Sequence, residues 1–294
     1  MRGFLVVLLT MGGVHCSVVA QETLTGKDSS SSALPSTLNP VSRLGKDLWI
    51  QASSPFHMSE TNAYWIGAGL VTTVALVITD QGTYNTVKDA EFDASWIHKA
   101  SPTITGFGSG YALGVVGAFA GYGFIAGDSK AKETAYLATE SFVASGLWGW
   151  TIKLLTGRER PSVESESGGE WAGPLAYFRK DKNQSVSSFD AFPSGHTLTA
   201  FSIATVFAEQ YSDNMIIPIV SYAGASLVGL SRITEDAHWT SDVFVGAVLG
   251  YLTAQEVVAN NPSEVSRRAA QQKSVGWSLG MLGGRPVVQV RIGL

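Results

Sequence analysis

The sequence predicts an all-α protein whose core is a bundle of six helices, followed by a short C-terminal β-hairpin. Six apolar segments rich in Ala, Leu, Val and Gly, each longer than an ordinary strand, predict the helices. A change to strict apolar–polar alternation on both sides of a Gly-Gly-Arg-Pro turn, within residues 274–294, predicts the hairpin. Hydrophobic residues make up 45% of the 294-residue chain, which excludes a disordered protein.

The N-terminus carries a predicted secretory signal at residues 1–20. Arg2 precedes an apolar run from Phe4 to Met11, and small residues lead to Ala20, after which cleavage is expected. A first membrane-crossing helix is the alternative, but the run is short for a span. Cleavage would remove Cys16, the single cysteine, so we expect an exported, periplasmic protein without disulfides or thiol chemistry.

The rest of the chain divides into three predicted regions. Residues 21–40 form a flexible leader rich in Ser, Thr and Pro, residues 41–260 form the helical domain, and residues 261–294 form a C-terminal extension that contains the hairpin. The six helices are expected at about residues 62–79, 104–126, 133–155, 197–210, 216–231 and 239–258, with a short amphipathic helix within 41–58. In the second of the six, Gly110, Gly114, Gly117 and Gly121 are spaced for close helix approach.

A polar connection at residues 157–192 separates the third and fourth predicted helices. Its charged residues are Glu164, Glu166, Glu170, Arg179, Lys180, Asp181, Lys182 and Asp190. A loop of this length in a compact helical domain is usually functional, so a lid over a site is expected. A solvated excursion without a role is the alternative.

Three polar clusters lie at predicted helix ends. They are Lys153 with Arg160-Pro161, the turn Pro193-Ser194-Gly195-His196, and Ser231-Arg232 with His238 and Asp242. Each cluster alone has an ordinary explanation, because a lysine at a helix end or one interfacial histidine needs no function.

Together the clusters fit phosphoryl transfer, whose transition state spreads negative charge over three oxygens. Lys153, Arg160 and Arg232 supply cations. Ser194 and the backbone N–H of Gly195, at the first turn of a helix, supply neutral donors. The sequence therefore predicts a site for a tetrahedral anion.

Two histidines can supply a nucleophile and a general acid. His238 and Asp242 are four residues apart on one helical face, so the carboxylate can hold Nδ1–H and expose Nε2 as a nucleophile. His196 can then protonate the leaving oxygen at mildly acidic pH.

These residues resemble the signature of the phosphatidic acid phosphatase type 2 superfamily: Lys, six residues, Arg-Pro; Pro-Ser-Gly-His; Ser-Arg, five residues, His, three residues, Asp. All eleven specified residues are present in order between Lys153 and Asp242. The resemblance implies a metal-independent phosphatase without a cofactor. Its substrate would be a phosphomonoester: a lipid phosphate such as phosphatidic acid or lipid A, a polyprenyl pyrophosphate, or a soluble ester.

The resemblance also implies a role for each site residue. His238 attacks phosphorus and forms a phosphohistidine, with Asp242 orienting the ring. His196 acts as the acid for the leaving alcohol and then as the base for water. The phosphate oxygens are bound by Lys153, Arg160, Ser194, Gly195 and Arg232.

Two other functions fit parts of this pattern. A vanadium-dependent haloperoxidase resembles this pattern, because vanadate mimics the phosphoryl transition state, but the Lys-to-Arg-Pro spacing and Asp242 favour the phosphatase. A non-catalytic anion-binding protein has no need for both His196 and His238. Nucleic acid is not expected as a partner, because the net charge is −4 and no basic stripe occurs.

The sequence leaves open whether the helices cross a membrane. The uncharged run 101–127 is long enough. If the signal is cleaved and the helices cross in turn, however, Lys153 would lie in the cytoplasm, against the outward-facing sites of the exported family members that this chain resembles. The Gly-rich segments are also less hydrophobic than typical spans. We therefore expect a periplasmic domain that is soluble or peripherally attached to a membrane.

Overall fold

The computed structural model describes residues 4–10, 17–21, 40–57, 59–92, 95–163, 167–178, 188–261, 275–282 and 285–293. The chain forms two compact units, one of residues 38–261 and the other of residues 1–37 with 262–294. The first unit is helical, and the described residues of the second are strands.

Eight α-helices lie in the described part of the helical unit, rather than the six expected. They are α1 Pro40–Ser53, α2 Glu60–Phe92, α3 Ser95–Thr105, α4 Gly110–Ile125, α5 Ser129–Thr156, α6 Gly195–Gln210, α7 Ile216–Thr234 and α8 Thr240–Asn260. The six-helix count is therefore wrong. The predicted amphipathic helix is α1, the helix predicted at about 104–126 corresponds to α4, and α3 was not predicted.

The break between α3 and α4 follows from a close contact. The residues Gly106–Gly108 form a short 3-10 turn there. A Cβ on Gly108 would lie 2.7 Å from Val228 Cγ1 and 2.8 Å from His196 Cβ, so only glycine fits. The turn thereby brings the α3–α4 junction against the first turn of α6.

Helix α6 lies at the centre of the unit, against α5, α7 and α8. Val206 of α6 packs with Leu137 of α5 and Val257 of α8 in one apolar cluster. Gly246 lets α8 approach α6 closely, since a Cβ there would lie 2.6 Å from the Ser194 carbonyl oxygen. The four glycines expected to bring α4 close to a neighbour have nothing within 4 Å of a Cβ, and the close contact is instead at Gly123, against the Lys132 backbone.

Several helices are suited to a membrane. Helices α2, α7 and α8 are long and apolar enough to cross one, and Lys99–Gly108 with Gly110–Ile125 forms a further pair bent by 50°. None of the apolar window of α2 is buried, and side chains such as Trp65 and Ile78 are exposed. These helices indicate membrane association, so the soluble alternative is not supported.

The second unit contains a four-stranded antiparallel sheet in the order β2-β1-β4-β3. Its strands are β1 Phe4–Thr10, β2 Ser17–Gln21, β3 Val275–Leu282 and β4 Arg285–Gly293. The predicted C-terminal hairpin is not supported as a two-stranded element, because β4 pairs with β1 as well as with β3. Signal cleavage after Ala20 and the flexible leader stay predictions.

Candidate active site

The first cluster closes α5 and continues into an extended segment. Lys153, in the last helical turn, donates from Nζ to the carbonyl oxygen of Asp190. Arg160 donates from Nη2 to Asp190 Oδ2 at 2.9 Å. Gly157 ends the helix at φ +51°, where a side chain would be strained and would also meet Ala176. Asp190 thus holds both cations side by side.

The second cluster is the start of α6. Ser194 is its N-cap residue, and its backbone N–H donates to the Asp242 carbonyl oxygen at 3.0 Å. A Cβ on Gly195 would lie 4.0 Å from Lys153 Cε, so the first turn of the helix faces the lysine side chain. The first turn of α6, where N–H groups lack intrahelical acceptors, and a cation therefore meet at one place, as an anion site requires.

The third cluster contributes Arg232 from α7. Its Nη1 donates to Glu235 Oε2 at 2.6 Å and to Thr105 Oγ1 at 3.1 Å. Its Nε is buried and has no hydrogen-bond partner among the described residues. A buried N–H without an acceptor is costly, so this donor is ready for an anionic oxygen.

The ring of His238 is fixed by a backbone group. Nδ1 lies 2.7 Å from the Ala191 carbonyl oxygen, which can only accept, so Nδ1 carries the proton and Nε2 keeps a free lone pair. Asp242, the expected acceptor, lies further away, with Oδ2 3.7 Å from Nδ1. That oxygen instead accepts the Trp239 backbone N–H at 2.8 Å and caps α8.

Electrostatic effects show that the clusters converge. Burial, reinforced by the charges of Arg232, Arg160 and Lys153, lowers the pKa of His196 to about 4. Burial and the same three cations hold the pKa of His238 well below 6.5. Both rings are therefore neutral near pH 7 without a ligand, and all three predicted cations act on both.

The pKa values of the neighbouring Lys153 and Asp190 are lowered as well. Burial, reinforced by Arg160 and Arg232, lowers the pKa of Lys153 to about 8. Burial alone would raise the pKa of Asp190, but the hydrogen bond from Arg160 and the charge of Lys153 hold it below its usual value. The site therefore carries an excess of positive charge in the absence of an anion.

Arg158 was not predicted from the sequence. Its side chain is fully buried and donates from Nη1 to Asp242 Oδ1 at 2.7 Å and from Nη2 to Asp80 Oδ2 at 2.8 Å. The alternation of side chains in an extended segment could have indicated it. Residues 158 and 160 lie on the same side of such a segment, so Arg158 is expected near the site that contains Arg160.

Parts of the connection contact the site from outside. The ring of Trp171 lies 5.3 Å from that of Phe192 and 4.7 Å from the Arg158 guanidinium. The predicted lid residues Glu164, Glu166, Arg179, Lys180, Asp181 and Lys182 lie outside the described residues. In the parts of the chain that the structure describes, no three His, Cys, Asp or Glu side chains form a group that could hold a metal.

Comparison with known proteins supports the resemblance. The model of the PAP2 superfamily matches residues 134–263, which contain all three clusters. Lipid A 1-phosphatase of Porphyromonas gingivalis is 43% identical over 67 residues, 22% of this chain and 15% of that protein. Lipid A 1-phosphatase of Rhizobium etli is 31% identical over 116 residues, 40% of this chain and 45% of that protein.

The chain therefore covers less than half the length of these relatives. Among solved structures, that of LpxE from Aquifex aeolicus aligns with a TM-score of 0.41 at 24% identity, over 54% of this chain and 83% of that one. The PAP2 resemblance inferred from the three clusters is confirmed over residues 134–263.

Proposed function

We propose that the chain is a metal-independent phosphatase that removes a phosphate monoester group from a membrane lipid through a phosphohistidine at His238. One observation carries the proposal: Lys153 and Arg160 meet at Asp190 beside the first turn of α6, and Arg232 keeps a buried Nε without an acceptor among the described residues. A phosphate group supplies the missing negative charge. Its oxygens would be bound by these three cations, Ser194 and the N–H of Gly195.

In the first step, Nε2 of His238 attacks phosphorus while the bond to the leaving oxygen breaks. The Nδ1–H of His238 donates to the Ala191 carbonyl oxygen throughout, and this hydrogen bond stabilises the ring as it becomes positive. Asp242 supports the ring by fixing the turn at Trp239. The lipid alcohol leaves with a proton from His196.

His196 must be protonated for that step, although its pKa is about 4 in the unliganded protein. A bound phosphate dianion cancels the cations that lower this pKa and so raises it. Substrate binding therefore favours protonation of His196, the general acid. In the second step, the neutral ring takes a proton from water, the water oxygen bonds to phosphorus, and the bond to His238 breaks to release phosphate.

A lipid is the favoured substrate because the two reported curated relatives act on lipid A and because several helices here are apolar and exposed. We propose that α2, α7 and α8 cross the membrane. The ends of α5 and α7 and the starts of α6 and α8, which carry the site, would then meet a lipid head group at one face. The comparisons do not favour halide oxidation.

The decisive experiment compares His238→Ala with His57→Ala, a control at an exposed histidine after α1. The full chain, purified in detergent, is assayed on lipid A, phosphatidic acid, polyprenyl pyrophosphate and an aryl phosphate, with and without a chelator. We expect His238→Ala to lose turnover and acid-labile labelled phosphate, His57→Ala to keep both, and the chelator to have no effect. Turnover that survives His238→Ala overturns the proposal.

We propose a site on the periplasmic side. Because the end of α2 contacts the His238 turn, a crossing α2 then places the N-terminus in the cytoplasm, so residues 1–20 would be retained rather than cleaved. N-terminal sequencing of the protein recovered from membranes tests this, and Gln21 as the first residue would contradict it. Impermeant labelling of a cysteine introduced at Leu175, an exposed residue whose N–H bonds to the Leu154 carbonyl oxygen, tests the side on which the site lies.

A further inference from the structure

Arg158 bridges three parts of the chain. Its Nη1 donates to Ser241 Oγ at 2.6 Å and to Asp242 of α8, and its Nη2 donates to Asp80 of α2 and to the Gly168 carbonyl oxygen at 2.7 Å. The rings of Trp171 and Trp239 lie 4.7 and 5.3 Å from the guanidinium carbon. Such a planar, multiply bonded cation fixes the orientation of its partners.

The same residue reaches His238 by two routes. Its side chain holds Asp242, which in turn accepts the Trp239 backbone N–H next to the histidine. Its backbone carbonyl accepts the Ala191 N–H at 3.0 Å, and the Ala191 carbonyl holds His238 Nδ1. Both neighbours of the imidazole are therefore attached to residue 158.

Helix α2 supports this arrangement with one face. Asp80, Tyr84 and Lys88 follow each other at intervals of four residues. The carboxylate of Asp80 is fully buried and also accepts the Ser241 N–H at 3.0 Å. The Tyr84 ring lies 5.6 Å from that of Trp239, and Lys88 Nζ lies 2.7 Å from Asp236 Oδ1.

We propose that Arg158 and Asp80 form a positioning pair that holds the His238–Asp242 turn against α2 and keeps the Asp242 charge away from the nucleophilic ring. The pair touches no phosphate oxygen, and the inference rests on the proposed function. It makes α2, which lies outside the matched family region, part of the machinery that orients the nucleophile.

Loss of the guanidinium has a definite electrostatic consequence. Asp242 Oδ2 lies 3.7 Å from His238 Nδ1 and would act on the ring without its counter-charge, so the pKa of His238 would rise. The other ionisable groups that act on this ring stay in place: Lys153, Arg160, Arg232 and Asp190. Substrate affinity should change little, because the phosphate-binding cations are untouched.

The test compares Arg158→Gln, Arg158→Gln with Asp80→Asn, and the control Arg43→Gln, whose arginine pairs with Glu140 on α5. We expect Arg158→Gln to lower kcat about 10–100-fold with KM within about threefold, and to move the acid limb of kcat upward by about one pH unit. Arg43→Gln should leave both unchanged.

The double variant separates positioning from general stability. It restores the net charge of the buried group, so thermal stability should recover while kcat stays low, because Asp242 still lacks its donor. If kcat recovers together with stability, or if Arg158→Gln leaves the acid limb of kcat in place, the inference is wrong.

Labelled-histidine NMR of His238 gives a readout that needs no turnover. Its titration in Arg158→Gln should lie above that of the wild type, and an unchanged titration contradicts the pair. Absence of turnover in the wild-type protein would instead refute the proposed function, and the NMR titration would still test the positioning pair.

Discussion

Two groups of buried charges in the helical unit are unbalanced in opposite directions. Around the proposed anion site, the cations Lys153, Arg160 and Arg232 outnumber Asp190 and Glu235, the carboxylates that pair with the two arginines. A second group joins α1, α5 and α8. Its two carboxylates, Asp47 and Glu140, are 2% and 6% exposed, and Arg43 lies 3.6 Å from Glu140.

The two groups neutralise their excess charge in different ways. Arginines cannot release their protons at ordinary pH, and Lys153, whose pKa is about 8, keeps its proton near pH 7, so the cationic group is neutralised there by an anion that binds from outside. The acidic group needs no ligand, because burial and the nearby Asp47 raise the pKa of Glu140 to about 7 and a proton suffices. Under the proposed function, the excess of positive charge is what attracts the phosphate, whereas the excess of negative charge makes a structural contact pH-sensitive.

The largest difference between the two groups should appear when one arginine is removed from each of them in turn. Arg160→Met should lower kcat/KM about 10²–10³-fold, because a preorganised cation is lost from the transition state. Arg43→Met should change kcat/KM by less than about threefold. Steady-state kinetics on the lipid phosphate in detergent measures both, and equal losses in the two variants would remove the distinction.

The next largest effect should be a change in the pKa of His196 when phosphate binds to the cationic group. The pKa of His196 is about 4 in the free protein, and phosphate binding should raise it by about one unit or more, because the bound charge offsets Arg232, Arg160 and Lys153. Binding is then accompanied by proton uptake between about pH 4 and 6.

Histidine NMR with and without inorganic phosphate measures this shift directly. His57 provides an internal control, because it is exposed after α1 and its signals should be the same with and without phosphate. A His196 titration that phosphate leaves in place would show that the anion does not bind among these cations.

The site was more predictable from sequence than its supports. Three short clusters with fixed spacing identified Lys153, Arg160 and His238, because phosphoryl chemistry needs particular side chains at helix ends. Arg158 and Asp80 belong to no such pattern. Their role depends on contacts between segments 78 residues apart, which local spacing does not contain.

The helices show the same limit. The apolar pattern of α2 fades after residue 79, so its polar end was not predicted, yet α2 continues to Phe92 because Asp80, Tyr84 and Lys88 contact the His238 turn. The split of α3 from α4 depends on the tight fit of Gly108 against His196. Tertiary contacts decided both boundaries.

A smaller effect is expected in the acidic group. A carboxyl whose folded pKa is raised to about 7 holds a proton that the unfolded chain has released above about 4.5, so stability falls as the pH rises from about 4.5 to 7. Glu140→Gln should remove this loss and stabilise the protein by about 2–3 kcal/mol at pH 8, with no gain at pH 4.5.

Thermal unfolding in detergent at both pH values measures the difference. Activity should stay within about twofold, because Glu140 lies three turns of α5 before Lys153. An equal change in stability at both pH values would mean that the carboxyl does not titrate in this range.

The smallest effect should come from making the cationic group still less balanced. Asp190→Asn removes the carboxylate that faces Arg160, while the Asp190 backbone carbonyl still holds Lys153. Inorganic phosphate should then inhibit about 3–10-fold more strongly, because less negative charge competes with it. Turnover should fall by a similar factor, since Arg160 loses its orienting partner.

Inhibition constants at low and high salt measure the first effect, and Asp213→Asn, at an exposed carboxylate paired with Lys130, is the matched control. Weaker inhibition in Asp190→Asn would mean that Asp190 organises the cations rather than opposing the anion, and the excess of positive charge would no longer explain binding.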